Sequence, residues 1–175
     1  RFVAKGLESV AYADKPLPCV ATGRTLLAPL ILGRLIQEAG VRATDTALDV
    51  AGGSGYSACV LGRLVKDVTA LESEKLETPF ALGDNVTRAT GPVAAGAPQR
   101  APYDVILING VIETRPDSLL TQLADGGRLV TLERRGAAVQ GVRYDRIDGE
   151  VTRRTVFNAS GPTLPEFAAP AAFRF

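Results

Sequence analysis

Apolar positions recur along the chain with two periods, and their alternation predicts the order of elements. Leu26, Leu27, Leu30, Ile31, Leu35 and Ile36 return at helical spacing, with Pro29 suited to a first turn because its missing N–H has no partner there. Gly40 stops that helix. Residues 46–51 then form a short apolar run, the pattern of a buried strand, which passes through Gly52-Gly53-Ser54-Gly55 into a helix carrying Tyr56, Cys59, Val60, Leu61, Leu64 and Val65. Further strands are predicted at 68–72, 85–90, 103–109 and 128–133. Helices are predicted at 74–82, broken by Pro79, and at 117–124, ended by Gly126-Gly127. The run 103–109 is apolar without alternation, which places it between two covered faces. Residues 139–144 and 151–157, around Asp148-Gly149, predict a closing antiparallel pair.

Strands alternating with helices call for an α/β, mostly parallel, doubly wound sheet that binds ligands at the carboxyl ends of its strands. A single domain over 1–175 is expected, with a loop-rich arm at 1–25, a ligand-binding core at 26–133, and a strand pair and tail at 134–175. The tail offers Phe167, Phe173 and Phe175 as anchors. The chain starts at Arg1 and holds no methionine, so it is read as a processed or truncated piece of a longer product.

Composition narrows the chemistry. The 175 residues include no histidine, which removes Ser/His/Asp, Cys/His and HExxH catalysis, and no metal site is expected. Twenty Lys and Arg against 19 Asp and Glu leave a net charge of +1, against nucleic-acid binding through a strong basic field. No apolar run approaches the roughly 18 residues that span a membrane, and no secretory signal opens the chain. Cys19 and Cys59 are too few for a disulfide framework and read as small buried hydrophobes in a reducing, cytoplasmic setting.

What remains is the glycine loop and its acid. Gly52, Gly53 and Gly55 lie where the first core strand turns into its helix, a place where backbone can approach a ligand with no Cβ in the way. Glu72 ends the second core strand, where a carboxylate can accept two ribose hydroxyls. Together they point to a nucleoside-bearing cofactor. Gly53-Ser54-Gly55-Tyr56-Ser57-Ala58 also satisfies the loose dinucleotide pattern, so a nicotinamide cofactor competes. Asp49, two positions before the turn, favours S-adenosylmethionine, which brings an ammonium and a sulfonium but no pyrophosphate. A branched side chain at Gly53 is expected to obstruct the cofactor.

With these residues in place, the chain resembles the class I S-adenosylmethionine-dependent methyltransferases and, within them, is similar to the protein-L-isoaspartate O-methyltransferase family. The resemblance rests on Phe2-Val3, residues 11–18, Gly23-Arg24-Thr25-Leu26-Leu27-Ala28-Pro29, residues 48–56, Ala101-Pro102-Tyr103-Asp104-Val105-Ile106 and residues 122–130, in family order over 1 to about 132. It implies a Rossmann-like fold with a seven-stranded sheet closed by an antiparallel C-terminal pair, and S-adenosylmethionine bound by Asp49, Ala51, Gly52, Gly53, Gly55, Tyr56 and Glu72. It also implies methylation of an isoaspartyl or other carboxylate of a protein or peptide, a protein-repair reaction. Phe2-Val3 falls inside a family motif, which implies a missing amino-terminal segment.

The departures bear on the acceptor side. Leu27 stands where the family has a substrate-contacting serine, Arg24 replaces a glutamine, and Ala51 occupies the usual first glycine of the loop. The arm is one residue longer than usual, Gly91-Pro92 replaces a glycine–aspartate pair near the adenine, and the stretch between Glu72 and Asn85 is short. Arg24 and Leu27 are therefore named as acceptor-contacting positions. Thr25, the hydroxyl nearest the lost serine, and Asn109, at the end of the fourth core strand, are named as catalytic candidates. The competing reading is a homologue that binds S-adenosylmethionine without transferring its methyl group.

Overall fold

In the computed structural model, residues 2–3, 5–11, 13–19, 23–75 and 81–170 are described. The arm is pinned by a two-residue antiparallel pairing of β1 (Leu17–Pro18) with β2 (Thr25–Leu26). Helix α1 (Pro29–Ala39) begins at its proline and ends where Gly40 turns left-handed at φ 55°. Ala28 at the N-cap has no side-chain acceptor, and the arm supplies one: Oδ1 of Asp14 accepts from the Leu30 N–H at 2.9 Å.

The core continues with β3 (Thr46–Val50), α2 (Tyr56–Leu61), β4 (Asp67–Glu72), β5 (Val86–Thr90), β6 (Tyr103–Ile112), α3 (Asp117–Leu120), β7 (Leu123–Arg135), β8 (Ala138–Ile147) and β9 (Glu150–Asn158). Seven strands form one sheet in the order β5-β4-β3-β6-β7-β8-β9. Pairing is parallel from β5 to β7 and antiparallel at β7–β8 and β8–β9, the α/β architecture the sequence predicts. The order reverses at β3, with β4 on one side and β6 on the other. The carboxyl ends of β3 and β6 therefore flank the switch point where such sheets bind ligands.

Both faces are covered. Helices α1 and α2 bury Leu35, Ala39, Ala58 and Leu61 against Ala47, Val105 and Leu107. Opposite, α3 and a strap at 162–167 set Leu119, Leu164 and Phe167 against Leu48, Ile106 and Ile108. The strap follows the end of β6 through Val111 N to Pro162 O (2.7 Å) and Leu164 N to Val111 O (2.9 Å). Phe167 is the anchor foreseen, whereas Phe173 and Phe175 lie outside the described residues, as does 76–80 of the helix expected at 74–82.

Two helices are shorter than their apolar spacing suggests. The amide of Asn85 donates to the carbonyls of Gly62, Val65 and Lys66, collecting the chain end of α2 into turns after Leu61. Helix α3 stops at Leu120 because Gln122 is held from three directions and its carbonyl accepts from Tyr103 N at 2.9 Å. The chain thus enters the sheet at Leu123, and regular pairing with β6 resumes at Arg128, after the bulge containing Gly126-Gly127. Buried Arg128 closes the far end of α1, donating to Ala39 O (2.6 Å), Gly40 O (2.7 Å) and Asp45 Oδ2 (2.6 Å).

Candidate functional site

At the end of β3 the backbone enters the left-handed region on an alanine: Ala51 has φ 58° and is buried, with its N–H on Leu71 O at 3.0 Å. An L-residue there carries roughly 1–2 kcal/mol of strain that glycine would not. Gly52 follows with its Cα against Ser57 and the carboxylate of Asp49, where a Cβ would collide with both. Gly53 is left-handed at φ 66°, and a Cβ on it would meet Leu26 Cδ2 at 2.9 Å and Cys19 at 3.5 Å. A valine at 53 would therefore press on the side chains of Leu26 and Cys19 in the arm, besides carrying a left-handed backbone that branched residues rarely adopt.

Two buried acids face this loop. Glu72 Oε1 accepts from the Gly53 N–H at 2.5 Å, and Oε2 accepts from Arg24 Nε at 3.3 Å. Burial pushes its carboxyl up to about 7, against the pull of the Gly53 N–H and the Arg24 charge, with Asp49 adding to the rise. Asp49 accepts from Ser57 Oγ (2.8 Å) and Asn109 Nδ2 (2.7 Å). Burial outweighs both bonds and raises its carboxyl to about 6.

Asp49, Gly52, Gly53, Gly55 and Glu72 line one cavity of about 480 Å³, within the size range of small-molecule sites. Sequence reasoning missed its other polar lining: Lys75 after β4, and Arg88 and Thr90 on β5. The two-residue spacing of Arg88 and Thr90 puts them on one face of that strand and was the available signal. Ala51 lies buried in the turn, and Tyr56 faces elsewhere, its ring 5.3 Å from that of Phe2 beside an apolar cavity that Leu27 also lines. Ser54, in the same loop, has a buried hydroxyl oxygen with no hydrogen-bond partner among the described residues.

The acceptor-side candidates separate. Arg24 and Thr25 line a polar cleft of about 290 Å³ with Ser73, Thr163 and Glu166. Within it Arg24 forks onto Glu166 through Nη2 (2.5 Å) and Nη1 (3.3 Å) while also touching Ser73 Oγ (3.1 Å). Its guanidinium thus links the acid of the glycine-loop cavity to the strap, a partnership that no local pattern in the sequence announced. Leu27 is 7% exposed and packs with Val111 and Leu132. Asn109 is buried, and its amide nitrogen bonds Asp49 and Val50 O (2.9 Å), bracing β3 against β6 rather than meeting Thr25.

The arrangement fits a nucleoside-bearing cofactor: a desolvated carboxylate at the end of β4, backbone free of side chains beside it, and an unpartnered hydroxyl in the loop. Among the described residues no helix is long and apolar enough to cross a membrane.

Comparison with known proteins agrees on one family. The family model for protein-L-isoaspartate(D-aspartate) O-methyltransferase matches residues 1–159. The protein-L-isoaspartate O-methyltransferase of Koribacter versatilis is 36% identical over 136 residues, covering 74% of this chain and 61% of the relative. That of Methylorubrum extorquens is 38% identical over 135 residues, covering 74% and 59%. The chain thus spans about three-fifths of the length of the curated relatives it matches. A solved protein-L-isoaspartate O-methyltransferase superposes with a TM-score of 0.81 at 23% identity, over 93% of this chain and 56% of that one. A Plasmodium falciparum protein assigned to the same family, solved in complex with S-adenosyl-L-homocysteine, superposes at 0.71 and 20% identity, over 91% and 84%. With the family model covering nearly the whole chain and the sheet carrying the same fold, this chain belongs to the protein-L-isoaspartate(D-aspartate) O-methyltransferase family.

Proposed function

We propose that the protein transfers a methyl group from S-adenosylmethionine to a carboxylate of a protein or peptide, the isoaspartyl side chain being the acceptor that its family membership suggests. The observation that carries this reading is Glu72: a buried carboxylate fixed by the Gly53 N–H at the rim of a cavity of about 480 Å³. In that position it would accept the ribose hydroxyls, with Asp49 near the cationic portion of the ligand and Arg88 and Thr90 toward the base. When bound, S-adenosylmethionine supplies a methyl group activated by its sulfonium.

The rest of the chemistry asks little of the side chains. A carboxylate acceptor is ionised at neutral pH, so a chain without histidine loses nothing by lacking a strong base. Its residues have to align the acceptor, exclude water and hold the cofactor, and alignment alone can lower a barrier by several kcal/mol, on the order of 7–11 in favourable cases. The polar cleft of Arg24, Thr25, Ser73, Thr163 and Glu166 beside the strap would take the acceptor with its carboxylate replacing Glu166 on Arg24. Cys19 and Cys59 form no disulfide, which suits a reducing cytoplasm.

One observation favours the competing reading of binding without transfer. Leu27 packs in the core and the amide nitrogen of Asn109 is doubly engaged, so neither offers a donor to an acceptor carboxylate. Transfer of radiolabelled methyl to an isoaspartyl peptide, with the aspartyl peptide as control, decides. Labelling of the isoaspartyl peptide alone is expected. Tight binding of S-adenosylhomocysteine with neither peptide labelled would leave only the binding function, and binding of NAD alone would remove both.

A further inference from the structure

A second charged cleft opens beyond the strap, at the carboxyl ends of β6 and β7. It encloses about 430 Å³ and is lined by Arg115, Arg134, Arg135 and Arg153 with Glu113 and Glu133. Glu133 is almost fully buried and accepts from Arg135 Nε (2.6 Å), Tyr144 Oη (2.7 Å) and Arg153 Nε (3.0 Å). Burial pushes its carboxyl up, and the donors together hold it below the usual glutamate range. Glu133 is thus a fixed anion that orients two guanidiniums. Arg134 pairs with Glu113 at 3.1 Å, while Arg115 meets Asp117 at 3.3 Å.

Arginine donors outnumber the acceptors available to them. Four guanidiniums face two lining carboxylates, and Nη2 of Arg153 is buried with no hydrogen-bond partner among the described residues. A buried charged donor left unpaired is unfavourable, and a ligand oxygen would relieve it. The charge excess is small, which suits one carboxylate and argues against a polyanion such as nucleic acid.

The cleft adjoins the one suited to the acceptor. Arg134 lines the first, and its Nη2 donates to Oγ1 of Thr163, which lines the second, at 3.2 Å. The two clefts are thus about one arginine side chain apart, on the order of 10 Å, or about three residues of extended polypeptide.

We propose that the arginine cleft is a subsite for the polypeptide acceptor, taking one acidic side chain about three residues from the carboxylate to be methylated. The inference rests on the methyl-transfer reading, and its test separates the two. The full chain is assayed with an isoaspartyl peptide of neutral flanks and with the same peptide carrying one glutamate two to four residues away on either side. On one of the two sides, glutamate lowers KM roughly three- to tenfold at unchanged kcat, and added salt removes the advantage. Arg153→Gln, and separately the more exposed Arg115→Gln, diminish that advantage and leave the neutral peptide's KM unchanged. An unchanged KM for glutamate on both sides, or an advantage that survives both substitutions, overturns the subsite.

Fluorescence anisotropy with a labelled, unreactive aspartyl peptide carrying the same glutamate gives a readout independent of turnover. Arg153-dependent binding with no peptide methylated would keep the subsite and overturn the transfer reading. Methylation of the neutral peptide with no glutamate-dependent binding would do the reverse, and failure of both would remove both. Preference for phosphoserine over glutamate by more than tenfold would overturn the carboxylate assignment.

Discussion

Glu72 sets how cofactor binding should vary with pH. Its carboxyl sits near 7 because burial outweighs the Gly53 N–H and Arg24, and only the ionised form can accept two ribose hydroxyls. With a midpoint of about 7, about one carboxyl in eleven is ionised at pH 6 and about ten in eleven at pH 8. Affinity should therefore rise about tenfold between those values, about 1.4 kcal/mol, with up to one proton released per ligand at the lower pH. The ligand for this experiment is 5′-methylthioadenosine, which keeps the ribose and base but has no ammonium or carboxylate of its own. Titration calorimetry in two buffers of different ionisation enthalpy reads affinity and proton release together. Glu72→Gln should bind more weakly at pH 8 and lose the pH dependence. Asp49→Asn should move the midpoint down, because the Asp49 charge contributes to the rise at Glu72. Stability without ligand should run the other way. Since the folded carboxyl titrates above its unfolded value of 4.5, Glu72 is harmless to the fold below that value and destabilises it progressively as pH rises to about 7. A flat affinity between pH 6 and 8, or a pH dependence that survives Glu72→Gln, would refute the placement of Glu72 at the ribose.

Ala51→Gly should release the left-handed strain at φ 58° and raise stability by up to about 1 kcal/mol after the greater entropy of unfolded glycine is subtracted, measured by urea denaturation. Leu27→Ser should lower stability by about 2–4 kcal/mol, because it removes a buried side chain and brings an unpaired hydroxyl among Val111 and Leu132; equal midpoints in urea would refute this. Arg128→Ala should lower stability by about 3–5 kcal/mol, since it strands Asp45 and frees the last carbonyls of α1; Arg128→Ala with Asp45→Asn should recover part of the loss.

The parallel core was legible because β3 and β6 are buried on both faces and show it as largely apolar runs, and because the glycine loop marks the end of β3. The helix ends were less so. Asn85 lies 19 to 23 residues in sequence from the carbonyls it collects after α2, and Gln122 bonds Ala95 and Ala97 across the fold, so no local periodicity carries either boundary. That Asp49, the glycine loop and Glu72 meet at one cavity was readable for a related reason: they belong to one β-α-β unit of about two dozen residues, where spacing fixes geometry. The cleft around Arg24 assembles from the arm, Ser73 after β4 and the strap. Arg24 meets Glu166 across 142 positions, a contact invisible to any motif.

Histidine's absence and the near-zero net charge take on a sharper meaning once these contacts are known. Without histidine, the chain lacks the side chain whose ordinary titration falls between pH 6 and 8. Burial moves Asp49 to about 6 and Glu72 to about 7, so two carboxyls occupy that range instead. Both sit at the carboxyl ends of adjacent strands, on either side of the glycine loop, where ligand donors can reach them. Arg24 offsets part of the charge on Glu72 and is itself held by Glu166, so a change in the protonation of Glu72 alters the hold of the arm on the strap. On this geometry the glycine-loop acid, the arm and the strap share one guanidinium, and burial, with the Asp49 charge adding to it, brings the titration of Glu72 near neutral pH.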